Sequence, residues 1–188
     1  FVGEVDNKVG GTPNVVEANE GTATVKTPKY YEDIDEGVRL TVLGVYEITN
    51  EAGLFWLADQ VNTGENTFAG KTVKLVADVT LTQDWTPIGT SSKWTDNKSF
   101  RGKFDGGEHT ITNMNINTTE FAGFIGVKHG STADAGVYNL KFDNATVKGT
   151  HYGAVVIAWA DGAQTNYRQT VQNCHVTNST VTLAAEQI

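Results

Sequence analysis

One pattern of eleven residues recurs along the chain and limits its fold more than any other feature. Val137-Tyr138-Asn139-Leu140-Lys141-Phe142-Asp143-Asn144-Ala145-Thr146-Val147 and Val171-Gln172-Asn173-Cys174-His175-Val176-Thr177-Asn178-Ser179-Thr180-Val181 match apolar to apolar and Asn to Asn at an offset of 34 residues. Ile111-Thr112-Asn113-Met114-Asn115-Ile116 reads as a third copy, 26 residues before Val137, with Phe121 where Val147 and Val181 fall. In the shared unit (apolar, x, Asn, apolar, x, apolar) simple alternation would put the fourth residue outside. An Asn that tolerates a left-handed backbone makes a bend instead, and the next residue can point inward again.

Stacked coils of this kind pair each strand in parallel with its copy above and align the Asn side chains along the axis. The pattern therefore predicts an all-β chain: a parallel β-helix, or solenoid, with Asn113, Asn139 and Asn173 in one stack. A β-sandwich of hairpins is the competing fold. It would need two-residue turns between alternating runs, and the nearest candidate is Asp105-Gly106-Gly107. One such turn fits inside a solenoid coil, whereas three aligned copies do not fit a sandwich.

Upstream, Thr49 or Asn50 can cap a helix running to about Asn62, with Leu54, Leu57, Ala58 and Val61 on one face. It is expected to close the N-terminal end of a solenoid over residues 37–188, ahead of the first coil at Lys71–Leu75 and Val79–Leu81. Residues 1–36 lack the register and read as a preceding β element or linker, with Glu32 to Glu36 a solvated acidic turn.

Composition bounds the function. With 14 Lys and Arg against 22 Asp and Glu, the formal charge is −8, and no basic stripe is present, so nucleic acid is not an expected partner. The apolar run Ala154 to Ala160 is far too short to cross a bilayer, so membrane insertion is not expected. The lone Cys174 excludes an intrachain disulfide. In register with Met114 and Leu140, it is expected to be a buried, inert thiol. His109, His129, His151 and His175 lack metal-ligand spacing and are expected at surface or turn positions; no metal or cofactor is implied.

The ordered combination of Trp85-Thr86-Pro87-Ile88-Gly89, Phe100 to Met114 and Gly123-Phe124-Ile125-Gly126 resembles the GLUG-motif repeat proteins. Those are bacterial extracellular proteins, frequent in gut Bacteroidetes and also found beside some secreted immunoglobulin proteases. The resemblance spans about Val45 to Val181. It implies a right-handed β-helix, secretion and an adhesin-like role, and supplies no catalytic residues. The sequence departs from the family at Gly153-Ala154-Val155-Val156, which has no closing Gly. It also reaches Ile188 just after a strand motif, where an uncapped solenoid end calls for a continuation or a covering neighbour.

Aligned this way, the outward columns are Thr112, Tyr138, Gln172 and Asn115, Lys141, His175. Neither holds the carboxylates that β-helix glycosidases or lyases use, so no catalytic set is expected. Lys141 beside His175 is the one pair suited to proton transfer. Trp94, in the polar insertion Thr90 to Asn97, is the strongest interaction candidate, because a loop Trp can stack on a sugar or an apolar patch of a partner. Trp85 and Trp159 belong to the apolar framework. The expected function is extracellular adhesion or ligand binding on a bacterial surface through Trp94, Tyr138, Lys141 and His175, toward a neutral glycan or a host or bacterial surface protein. The alternatives are a carbohydrate-active enzyme, lyase or glycosidase, on the same scaffold and a passive spacer.

Overall fold

The computed structural model describes residues 4–5, 14–19, 22–25, 31–162 and 170–184. From Thr72 onward the chain winds as a parallel β-solenoid of about three turns. Its first face stacks Thr72–Leu75, Lys103–Asp105, Gly136–Tyr138 and Thr170–Gln172. The second stacks Val79–Thr80, Thr110–Thr112, Lys141–Asp143 and His175–Thr177. The third holds Asn115–Ala122, Thr146–Gly153 and Thr180–Leu183, and a fourth pairs Ile125–His129 with Ile157–Asp161.

The Asn bends are present: Asn113, Asn139, Asn144, Asn173 and Asn178 all have positive φ, between 50° and 63°. They form two ladders, one at each corner of the second face. Asn173 Nδ2 donates to Asn139 Oδ1 at 3.1 Å, and Asn139 Nδ2 to Asp105 Oδ1 at 3.0 Å. At the other corner Asn144 Nδ2 donates to Asn113 Oδ1 at 2.8 Å, and Asn178 Nδ2 to Asp143 Oδ1 at 2.7 Å.

Asn113 therefore does not stack with Asn139 and Asn173. The five-residue unit occurs twice in each coil, so the earliest copy slips by half a pattern without losing its apolar match. Ile111 pairs with Phe142 and Ile116 with Val147, an offset of 31 residues and not 26. Phe121 lies beside Tyr152, not Val147. Asp105-Gly106-Gly107 is a corner and not a hairpin turn, because Lys103–Asp105 and Thr110–Thr112 join different parallel sheets. Two additional residues at that corner hid the true register.

Inward columns such as Val73, Phe104 and Val137 are fully buried. Phe124 sits where several meet, with ring centroids of Phe104, Trp85 and Phe142 at 5.1, 5.3 and 5.4 Å. Leucine-sized truncations at such sites cost about 2–5 kcal/mol. The last coil has no coil above it among the described residues, and Val171, Val176, Val181 and Leu183 are 44–51% exposed. Cys174 is accordingly half-buried; it points into the core in register with Leu140, while Met114 lies at the level of Ala145 at the other corner.

At the opposite end a helix spans Glu51–Thr63, begun by the Asn50 side chain accepting from Gly53 N and ended by Gly64 at φ 85°. Leu54, Leu57, Ala58 and Val61 are buried against the first coil. The Glu51 carboxylate accepts from Thr82 N and Oγ1 at 2.6 and 2.9 Å. Asn62 donates to Pro87 O at 3.0 Å and accepts from Gly89 N at 2.8 Å. Helix side chains thus satisfy backbone groups that no strand ladder reaches.

Antiparallel strands Tyr31–Asp35, Val38–Thr41 and Val45–Ile48 extend the first face past the helix. The sheet crosses the boundary expected near residue 36, and the acidic run is an edge strand and not a turn. Its exposed carboxylates suit an edge that should not recruit another strand. Nearer the start, Glu4–Val5, Asn14–Asn19 and Thr22–Val25 form a small antiparallel sheet.

Candidate functional site

The first coil is shorter than the second on the third face, and a cleft follows from that difference. Trp85 N donates to Asn115 O and Ile88 N to Phe124 O. Three steps of chain in the first coil therefore face nine in the second. Asn115–Ala122 is the edge strand of its sheet, with irregular register between Ile116 and Thr119 and between Thr119 and Phe121. Bulges of this kind are common beside functional sites because they re-aim side chains.

The resulting cleft has a volume of about 410 Å³ and is lined by Asp84, Thr86, Pro87, Thr90, Asn117, Glu120 and Phe121 among others. That volume lies in the ordinary range for small-ligand pockets, about 300–1,000 Å³. Asn115 Nδ2 donates to Asp84 Oδ1 at 2.5 Å and fixes that carboxylate. The Phe121 ring is stacked on Tyr152 at 5.2 Å and 2° between planes, while Tyr152 stays 42% exposed. Trp85 lines the cleft but is 3% exposed, with its indole N–H donating to Phe124 O at 3.0 Å.

Thr90, on the rim, begins the Trp94 insertion. Ile88 bridges to Ile125 and Phe100 to Lys128, so twelve steps in the first coil oppose three in the second. Thr90 N donates to Lys98 O at 2.9 Å and closes the insertion at its base. Trp94 is half-buried. Arg101 stacks on its ring at 3.8 Å and donates to its carbonyl at 2.6 Å. The His129 ring meets Trp94 edge-on at 5.1 Å and Trp159 at 5.3 Å.

His129 is thus a core residue and not a surface one, 1% exposed with Nδ1 lacking a hydrogen-bond partner among the described residues. Burial, then the neighbouring Arg101 charge, hold its pKa below the ordinary value, against an opposing pull from Asp161. Lys128 is fully buried beside it, and desolvation lowers its pKa to about 8. Strand alternation predicts one inward and one outward side chain here, but the insertion covers the outward one.

The other expected residues are not gathered with Trp94. Tyr138 lies on the first face between Asp105 and Gln172, with Lys103 Nζ over its ring at 4.9 Å. Lys141 and His175 are partners on the second face, as expected, but the neighbour below Lys141 is Thr110 and not Asn115. Lys141 Nζ pairs with Glu108 Oε2 at 3.4 Å. The outward columns do hold carboxylates, Asp105 beside Tyr138 and Asp143 between Thr112 and Thr177. Thr177 and Asn178 hydrogen-bond Asp143 and lower its pKa. Among the described residues no group of three His, Cys, Asp or Glu side chains could hold a metal ion, and no helix is long and apolar enough to cross a membrane.

Compared with protein-family models, with curated proteins and with solved structures, the chain matches none. The glycine motif of the third coil is displaced and not merely incomplete. Gly153 pairs with Ala122, and Ile157 with Ile125, so one residue is inserted and Ala158 stands opposite Gly126. At Gly126 a Cβ would collide with Gly89 O, which explains the glycine there. The cleft itself was missed by sequence reasoning because Asp84 and Glu120 lie in different coils; the Pro87 interruption and the unequal coil lengths were its only signals.

Proposed function

We propose that this chain is an extracellular repeat module that binds a neutral glycan or a surface protein in bacterial adhesion, akin to the GLUG-motif repeats. The observation that carries the reading is the cleft on a stacked scaffold: two side-chain amide ladders stiffen the coils, and a narrowed first coil leaves a lined recess of about 410 Å³. Stacked coils give a rigid frame on which unequal insertions can vary without disturbing the core. The motif resemblance supports secretion and surface display. The decisive measurement is attachment of the purified protein to host-cell and bacterial surfaces, with an unrelated acidic solenoid as control. Saturable attachment beyond the control is expected; its absence from every surface refutes the adhesion reading.

Asp84 and Glu120 in one cleft favour a second reading, a carbohydrate-active enzyme, because paired carboxylates perform general acid and base work on glycosidic bonds. Release of reducing ends from pectins, mucins or host glycans, abolished by Glu120→Gln, would establish it over simple binding.

A further inference from the structure

We infer that the cleft between Thr86–Thr90 and Ile116–Phe121 is a binding site for one or two units of a neutral, hydroxyl-rich saccharide; this rests on the adhesion reading and names its ligand. The cleft wall is amphipathic in the way a sugar is. Asp84 and Glu120 offer acceptors and Thr86 a hydroxyl, while Phe121, 7% exposed, adds the small apolar part of its ring that its neighbours leave open. A sugar presents hydroxyl donors around its rim and C–H groups on its face, which matches that division.

Charge narrows the ligand further. The lining contains two carboxylates and no Lys, Arg or His, so sulfated, uronate and sialylated sugars meet like charge with no cation to offset it. An extended peptide added to the Asn115–Ala122 edge needs a regular ladder, and the register breaks at Ile116, Thr119 and Phe121 remove it. The site is also held in place before a ligand arrives. Asn115 fixes Asp84, Tyr152 backs Phe121, and Asn62 on the helix holds the backbone at Pro87 and Gly89. Preorganisation of this kind reduces the ordering cost of binding.

The test uses the whole chain on a printed array of neutral, uronate and sialylated oligosaccharides, followed by calorimetric titration of the best neutral hit. Glu120→Gln and Asp84→Asn should each weaken that affinity by about tenfold or more, the effect of losing one charged hydrogen bond of roughly 1.5–3 kcal/mol. Their thermal midpoints should stay close to the parent's. Neutral-glycan binding that survives both cleft substitutions overturns this site while leaving the adhesion reading intact. Binding confined to acidic glycans, or to none on the array, overturns the saccharide assignment; cell attachment then decides the adhesion reading separately.

Discussion

Replacing Lys128 by Met should stabilise the protein near neutral pH, and the gain should vanish in alkali. The amine is fully buried, and its pKa stands at about 8 against 10.5 in the open chain, with desolvation the cause. Each pH unit of that difference is worth about 1.4 kcal/mol, so keeping the ammonium charged in the fold costs about 3 kcal/mol. The sign follows from linkage. Below pH 8 both states carry the proton and the full cost is present; between pH 8 and 10.5 only the unfolded chain binds it, and stability rises with pH. Above 10.5 the cost is gone.

Met has a similar length and no charge, but it forfeits the 3.4 Å hydrogen bond from Lys128 Nζ to His129 O. Losing that bond subtracts about 1 kcal/mol, so the gain stays below the full desolvation cost. For a chain of this size each kcal/mol gained raises Tm by about 2–4 °C. Denaturant melts of both proteins at pH 7 and pH 10.5 measure the difference directly. A Met variant less stable than the parent at pH 7, or a gain equally large at pH 10.5, would refute the argument that desolvation of this amine costs stability.

Three further outcomes are expected. The depressed pKa of His129 means that its contribution is intact above the ordinary value near 6.5 and is lost as pH falls below it; His129→Phe should flatten the acid limb of a stability profile, and an unchanged limb would place the titration elsewhere. Asn139→Ala should cost about 1–2 kcal/mol, from a lost ladder rung and a strained left-handed backbone, with Asn139→Gly costing less; equal losses in denaturant melts would show that φ plays no part. Cys174, whose thiol pKa is raised by burial, should react with a disulfide reagent much more slowly in the folded protein than in denaturant, and equal rates would contradict its inward placement.

The Asn-containing repeat was enough to predict parallel coils, left-handed bends and an inward Leu140 and Val147, because those depend on local backbone preference and on which side chains avoid water. The Asn50 cap and the Leu54, Leu57, Ala58, Val61 face likewise carried the helix in the sequence alone. Register between coils was not local. A five-residue unit used twice per coil matches itself equally well when slipped, and only packing of Ile111 on Phe142 and Ile116 on Val147 chose the 31-residue step. The same tertiary choice decided the chemistry. It put Asp105 beside Tyr138, buried Lys128 and packed His129 against Trp94 of the insertion, and left Asp84 and Glu120 facing one cleft, since contacts between coils depend on how many residues each coil spends on a face, and the sequence gives no direct measure of that.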